Sequence, residues 1–506
     1  MNEKKTGKPV FFISLSVSDI IADMAKRVNN KDILPDHKAE ARRSQDVPQA
    51  EYGLFQMNDA LYELGKGKTF YLRTYGCQAN VRDGETIAGT MAMMGFKRAE
   101  EPDNADVLIF NTCAVRKAAE EHVFGEIGNL KGLKEKNSDC IFCLCGCMAQ
   151  EESVVQAIKK SYPQVDLVFG THNIYRLPDL LKDVMTTKKR RIEVYSEEGR
   201  VIENLPVNRT MPWKGFVDIM YGCNKFCTYC IVPYTRGRER SRRMTDILRE
   251  VERLKDQGGK EVVLLGQNVN AYGKDLHMED GFTELLKAVA ETGIERIRFY
   301  SSSPRDYEES TIQAMMDYKN IMPALHLPVQ SGSDEVLRRM ARGYTVEQYK
   351  EVFDRLKAKI PNITFTTDLI VGFPGEKDEQ FQETLDLVDY CKFDSAYSFM
   401  YSPREGTPAA SMPDQIPDTV KNERLQILND HLRKWARENN EKYEGRIVKV
   451  LCDGPSKKNP SVYAGYSEEN KLVNFTAPKD FTGQIVNVEI TEVRSFSLDG
   501  KFIEMN

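Results

Sequence analysis

The sequence predicts an α/β chain in three folded parts: an N-terminal domain of βα units, a central partial barrel of six βα units, and a small antiparallel β-barrel at the C-terminus. Three observations predict it. From residue 68, apolar strands alternate with helical stretches. Beyond residue 213, six more apolar runs recur with helical patterns between them. After residue 445 the chain turns β-rich, with Gly and Pro turns. At 506 residues there is room for about two to four domains, each with its own core.

In chain order, residues 1–66 are polar and mixed in charge ("KAEARRSQDVPQAEYG") and read as an N-terminal extension, partly disordered. Within it, "VFFISLSV" at 10–17 follows three lysines and faintly resembles a secretory leader. Asp19 and Asp23 follow at once, and no small-residue cleavage site is evident. Eleven cysteines, an odd number lying near apolar strands, point to metal chemistry in a reducing compartment and not to a disulfide framework. No run approaches the ~20 apolar residues of a spanning helix. The expectation is a cytoplasmic protein, monomeric, with no membrane partner. Hydrophobic residues make up 41% and charged residues 29%, as in ordinary soluble domains. A net charge of only −5 announces no nucleic-acid partner, so any RNA surface has to be a local patch.

Residues 67–190 form the first predicted domain. "TFYLRTYGC" runs to Cys77, "ADVLIFNTC" to Cys113 and "CIFCLCGC" to Cys147, separated by helical stretches such as "DGETIAGTMAMMG". Repeated βα order implies a parallel sheet, whose ligand crevice lies outside the carboxyl ends of its strands. Cys77, Cys113 and Cys147 at three such ends would converge on one point. Cys140, Cys143 and Cys145 compete for the third place, but 143 and 145 lie within the strand, and only Cys147 ends it, after Gly146. The others, with Cys391 and Cys452, read as buried small hydrophobes.

A charged, turn-rich stretch at 186–213 marks a boundary. Residues 207–440 hold the barrel strands "GFVDIM", "EVVLLG", "RIRFY", "ALHLPV", "ITFTTDLIV" and "SAYSFM", with helical patterns such as "MTDILREVERLKDQG" between them. A long helix at 415–445 leads out of the barrel. Residues 441–506 ("RIVKVLCDG", "KLVNFTA", "GQIVNVEITEV") read as a small β-barrel of the oligonucleotide-binding sort, a shape that also binds protein.

The stretch "MYGCNKFCTYCIVPYTRGRER" at 220–240 sets the chemistry. Cys223, Cys227 and Cys230 stand within eight positions with no fourth cysteine near, after the first barrel strand, at the face where such barrels place active sites. Structural zinc takes four protein ligands, and none of the six histidines lies in this loop. A [4Fe–4S] cubane held by three thiolates leaves one iron open to an outside ligand. Phe226 and Tyr229 suit the shielding of such a cluster from solvent.

A CxxxCxxC loop on a βα barrel resembles the radical S-adenosylmethionine superfamily. In that superfamily the cofactor chelates the open iron, and an electron from the cluster cleaves it to a radical that takes hydrogen from unreactive carbon. Residues ending later strands fall where the superfamily binds the cofactor: Gly266 and Gln267 in "LLGQNVNAYG", Gln330 and Ser331 in "PVQSGS", and Asp368 in "TDLIVGFPGE". Over residues 68–506 the chain is similar to the methylthiotransferases. "TYGCQAN", "NTCAVR" and "GCMAQ" carry that family's second cluster, which makes Cys77, Cys113 and Cys147 its ligands by resemblance. "YGCNKFCTYCIVPYTRGRERSR" resembles the radical motif of the tRNA branch, and the tail resembles the TRAM domain that binds tRNA.

The resemblance implies two [4Fe–4S] clusters, S-adenosylmethionine, tRNA bound through its anticodon stem-loop, and an electron donor such as flavodoxin or ferredoxin. It points to the tRNA-2-methylthio-N6-dimethylallyladenosine synthase branch, which converts N6-(dimethylallyl)adenosine at tRNA position 37 to its 2-methylthio derivative. One S-adenosylmethionine methylates a sulfur held at the second cluster, and another supplies the radical that removes hydrogen from C2 of the adenine. No catalytic residue beyond the cluster ligands is assigned. Sister branches act on threonylcarbamoyladenosine at the same position or on a ribosomal-protein aspartate. A non-catalytic, metal-stabilised RNA-binding protein is the alternative of another class.

"RGRERSRR" places Arg236, Arg238, Arg240, Arg242 and Arg243 beside the cluster, where guanidinium forks suit phosphates and bases. Arg236, Arg238 and Arg240 are expected to contact RNA, whereas "KKRR" at 188–191 reads as linker. The chain departs from the family at Ala79, where Met is usual, and at Tyr466, where Arg is expected for a phosphate contact. The family offers no explanation of the extension.

Overall fold

The computed structural model describes residues 32–35, 50–115, 117–196, 200–456 and 459–504. In the N-terminal domain, strands Lys97–Arg98, Thr69–Thr74, Val107–Thr112, Ile141–Gly146, Val165–Phe169 and Arg191–Glu193 lie side by side in that order, every pair parallel. Parallel neighbours need crossovers, and the helices Gln78–Met93, Lys117–Asn129, Glu152–Ser161 and Leu177–Thr187 are part of them. Helices cover both faces, so Val107–Thr112 and Ile141–Gly146 are buried at every residue, with apolar runs over 107–110 and 141–145. One face packs Phe70, Ile87, Ile109, Cys143 and Cys145, and the other packs Leu108, Phe110, Phe142 and Leu144. Strand order reverses between Thr69–Thr74 and Val107–Thr112, which opens a crevice at their carboxyl ends. Cys77 and Cys113 follow those two strands.

Two stretches that the sequence assigns elsewhere pack on this domain. Ile33 bridges to Glu193, Tyr52–Leu54 pairs in parallel with Val201–Glu203, and Leu61 is buried. Part of the extension and part of the charged boundary are therefore folded. Their strands, three residues long, are too short to show as periodicity. The remainder of the extension, with the apolar run at 10–17, lies outside the described residues.

In the central domain, Lys214–Asp218, Glu261–Leu265 and Arg296–Phe299 form one parallel sheet, and Ala324–His326, Thr364–Val371 and Ser395–Met400 form another. A bridge between Ile297 and Ile321 joins them. Six parallel strands in chain order, with helices packed outside, make an open partial barrel. Its core is the Val262, Leu264, Ile297, Leu325 and Phe365 layer beneath those helices. The last strand contains no buried residue, and Tyr397 and Phe399 on it are exposed.

The helix Asp418–Glu441 lays Leu428, Leu432 and Trp435 on the barrel core and leads to a closed five-stranded barrel. Four of its five pairs are antiparallel, while Leu472–Thr476 and Leu498–Phe502 pair in parallel. A closed ring with an odd number of strands cannot alternate throughout. This small barrel covers the amino-terminal end of the larger one. Arg296 donates to the carbonyls of Tyr466 and Lys449, each at 2.9 Å, and Arg298 donates to those of Ser467 at 2.6 Å and Glu468 at 3.0 Å. Tyr466 is thus an interface residue, with the Lys214 ammonium 5.4 Å from its ring centre. Among the described residues no helix is long and apolar enough to cross a membrane.

Candidate active site

Gly76 turns the chain at φ 122°, and a Cβ there would lie 2.5 Å from the Cβ of Cys113. Only glycine lets Cys77 and Cys113 come together. Cys77 also precedes the first turn of the helix Gln78–Met93. A hydrogen bond with the Cys113 thiol, then the Arg236 charge and the backbone N–H groups of Asn80 and Ala79, hold Cys77 below the usual thiol range against the opposing effect of burial. That is the environment of a thiolate. The same bond and burial push Cys113 up. Cys147 opens the turn Cys147–Gln150 after Gly146, and burial pushes its thiol up to about 11 against the opposing pull of Arg236. Asn80 ties the set together, its Oδ1 accepting from the Cys147 thiol at 3.5 Å and from Arg236 Nη2 at 2.9 Å.

Cys223, Cys227 and Cys230 occupy the loop between Met220–Tyr221 and Arg240–Ser241, an antiparallel pair that closes its neck. Gly222 sits at φ 72°, and a Cβ on it would fall 2.0 Å from the Arg238 carbonyl oxygen. The Cys223 N–H donates to Gly237 O at 3.0 Å, and the Thr228 N–H donates to Met340 O at 3.1 Å, which fixes the loop from both sides. Burial pushes Cys223 up, and pushes Cys230 up to about 12. Arg342 Nη1 donates to Cys227 Sγ at 3.3 Å. Phe226 meets Tyr234 edge-on at 6.5 Å, and the Arg238 guanidinium lies 5.3 Å from the Phe226 ring centre. Cys147 packs in one cluster with Ala114, Ile231 and Tyr234. Ile231 directly follows Cys230, so the two thiol sets are neighbours across a domain boundary.

Both sets suit a cubane. Each offers three soft sulfur donors, and each has one arginine N–H on a sulfur, which favours the thiolate that iron requires. Among the described residues no three His, Cys, Asp or Glu side chains close up to hold a single metal ion. A cubane is met by thiolates on separate irons.

The residues expected at the cofactor divide. Gly266 and Gln267 are half-buried at the end of Glu261–Leu265, where a Cβ on Gly266 would lie 2.8 Å from Met220 Cγ. Gln330, left-handed at φ 77°, bonds through its backbone N–H to Asp368 O and through its carbonyl to the Ile370 N–H. The Asp368 carboxylate is half-buried and lies 3.2 Å from His326 Nε2. Ser331 lies deeper: its hydroxyl is fully buried against Thr384 Oγ1 at 3.3 Å, on the outer helix Asp378–Cys391, and accepts the Ser333 N–H at 3.2 Å.

Arg236 and Arg240, expected to contact RNA, are both buried and bonded within the protein. Arg236 donates to Cys147 Sγ at 3.1 Å and to Asp83 Oδ2 at 2.6 Å, and Arg240 donates to the carbonyl of Arg238 at 3.0 Å. Arg242 pairs with Glu203 at 2.6 Å and Glu250 at 2.8 Å. Asp83 and Glu203, which draw Arg236 and Arg242 inward, come from distant segments, whereas Arg240 is held by carbonyls of its own loop. Arg238 is half-buried and Arg243 is exposed.

Sequence reasoning missed His326, which is flanked edge-on by Tyr300 at 6.1 Å and Tyr397 at 6.3 Å. It also missed Asn80, Asp83 and Arg342, and Asp306, which pairs with Lys225 and Lys274 near the radical loop. Alternation along "ALHLPV" would have flagged His326. The others carry no local signal.

Residues 69–170 match the family described as Uncharacterized protein family UPF0004, 217–388 match the Radical SAM superfamily, and 441–503 match the TRAM domain. A tRNA-2-methylthio-N(6)-dimethylallyladenosine synthase of Bacillus cytotoxicus is 54% identical over 451 residues, 89% of each chain. One of Bacillus subtilis (strain 168) is 52% identical over 450 residues, 89% of this chain and 88% of that one. The chain belongs to this synthase family. The first family match takes in Cys77, Cys113 and Cys147, and the second takes in Cys223, Cys227 and Cys230, so the synthase family's parts fall on the two thiol sets. Among solved structures, the radical S-adenosylmethionine methyltransferase TsrM from Kitasatospora setae is 13% identical at TM-score 0.49, over 68% of this chain and 75% of that one.

Proposed function

We propose that this protein is a tRNA methylthiotransferase that converts N6-(dimethylallyl)adenosine at position 37, beside the anticodon, to 2-methylthio-N6-(dimethylallyl)adenosine. The observation that carries the reading is that two cysteine sets from two domains lie close together, Cys147 clustering with the Ile231 that follows Cys230. The synthase relatives, alike over 89% of the chain, support the substrate. In this reading Cys223, Cys227 and Cys230 hold one [4Fe–4S] cluster, and Cys77, Cys113 and Cys147 hold the other. When bound, the clusters supply a reducing electron and a site for sulfur, and two S-adenosylmethionines serve as methyl donor and radical source.

The chain's own residues do the rest. Gly222 and the Met220–Tyr221 neck hold the radical loop at the carboxyl ends of the barrel strands, where Gly266, Gln267, Gln330 and Asp368 are proposed to line the cofactor. Tyr229 and Phe226 keep water from the thiols. The aromatic groups Tyr300, His326 and Tyr397 offer faces for a base. The TRAM barrel and Arg238 are proposed to hold the anticodon stem-loop, and a flavodoxin or ferredoxin is proposed to supply electrons to a cytoplasmic monomer.

Nucleoside analysis of tRNA from cells lacking the gene tests this reading. The expected result is loss of the 2-methylthio nucleoside and accumulation of N6-(dimethylallyl)adenosine. Loss of a methylthio-threonylcarbamoyl nucleoside instead would assign the protein to the sister branch.

A further inference from the structure

Cys147 belongs to one domain, and the side chain that donates to its sulfur belongs to another. Arg236 lies six residues beyond Cys230 and is 8% exposed. Its Nε donates to Cys147 Sγ at 3.1 Å, and its Nη2 donates to Asn80 Oδ1 at 2.9 Å and Asp83 Oδ2 at 2.6 Å. The approach is held at its base. The Arg236 N–H donates to Val232 O at 2.8 Å, and the carbonyl of Thr235 accepts from Thr171 Oγ1, in the N-terminal domain, at 2.6 Å. Asp83 is 7% exposed, so the guanidinium cannot swing away without leaving a buried carboxylate unpaired.

We propose that Arg236 is a positioning residue of the auxiliary thiol set: it acts through Cys147, and it ties the two sets into one fixed arrangement. The proposal rests on the assignment of Cys147 as a cluster ligand. A cationic N–H on a ligating sulfur draws negative charge out of the cluster and raises its reduction potential. Outer partners of this kind also hold the ligand in its orientation. A lysine at 236 would keep the charge but not the fork that reaches Cys147, Asn80 and Asp83 together.

The test uses the full chain carrying Cys223→Ala, Cys227→Ala and Cys230→Ala, so that only the auxiliary cluster can assemble. Redox titration followed by electron paramagnetic resonance, and iron release to a chelator, are compared for Arg236, Arg236→Lys and Arg236→Met. The expected result for Arg236→Met is a potential lowered by a tenfold shift in the one-electron equilibrium, about 59 mV, with iron lost about 10–100-fold faster. Arg236→Lys should recover part of the potential but not the iron retention. Asp83→Asn, which removes the carboxylate that anchors the guanidinium while keeping Arg236 itself, should speed iron loss if Arg236→Met does not fold. Wild-type potential and iron release in the Arg236 variants, or wild-type iron release in Asp83→Asn, would overturn the proposal. A background protein that assembles no cluster at all would instead overturn the ligand assignment beneath it.

Discussion

Arg342 donates from Nη1 to the Sγ of Cys227 at 3.3 Å, while its Nε bonds the Tyr344 hydroxyl at 3.0 Å and its Nη2 bonds the Pro328 carbonyl at 3.2 Å. Each thiol set thus carries one arginine on one sulfur, Arg342 on Cys227 and Arg236 on Cys147. Burial pushes Cys147 and Cys230 toward the neutral thiol, and a nearby arginine opposes that push at each.

Removing Arg342 should therefore weaken one cluster and spare the other. Arg342→Met is expected to release iron from the radical loop about 10–100-fold faster and to lower 5′-deoxyadenosine formation in step. About four irons, one cubane, should stay at the auxiliary set. Iron analysis with a cofactor-cleavage assay checks this, and full iron with undiminished cleavage would contradict it.

The join between the large and small barrels is expected to depend on pH through Glu261. Burial pushes its carboxyl up, but Arg298 and Lys214 overcome the penalty and hold it down at about 2, from an ordinary value of 4.5. A depressed carboxyl stabilises the fold fully above its ordinary value, and that stability is lost as pH falls from about 4.5 through about 2. Glu261→Gln should cost about 3 kcal/mol at neutral pH by leaving two cations underpaired. The gap between variant and wild-type denaturation midpoints should narrow as pH drops through that window. A gap that stays constant with pH would assign the join to packing alone.

Of the arginine run, only Arg238 and Arg243 retain surface. Arg238→Ala is expected to weaken tRNA binding and to reduce the salt dependence of affinity by about one unit of slope for a lost phosphate contact. Cofactor cleavage without tRNA should persist. Filter binding at several salt concentrations measures both quantities, and an unchanged slope would mean that Arg238 makes no phosphate contact.

The three-part architecture was legible in the sequence because most of its strands are apolar stretches long enough to stand out. Val107–Thr112 and Thr364–Val371 announce themselves, whereas the three-residue strands Tyr52–Leu54 and Val201–Glu203 do not. Cysteine spacing within the radical loop was legible for the same local reason. The burial of Arg236 and Arg242 was not legible, because a charge run shows its number of cations and hides their partners. Asp83 stands 153 residues from Arg236, and Glu203 stands 39 from Arg242. The burial of Ser331 was hidden likewise, since its hydroxyl meets Thr384 on a helix 53 residues away.

Cys143 packs with Phe70, Ile109 and Leu167 inside the N-terminal core. Cys143→Ala should keep both clusters and lose at most about 1 kcal/mol from a small cavity. A variant short of one cluster would mean that the wrong cysteine of that strand has been taken as a ligand.

The central claim is that the two thiol sets do different jobs. It is tested most directly by measuring 5′-deoxyadenosine and methylthiolated nucleoside in the same reactions, with reconstituted Cys113→Ala and Cys223→Ala proteins and tRNA carrying N6-(dimethylallyl)adenosine. Cys113→Ala should cleave the cofactor, lack about four irons and form no methylthiolated product, while Cys223→Ala should form neither product. A Cys113→Ala protein with full iron content that still methylthiolates tRNA would contradict the account.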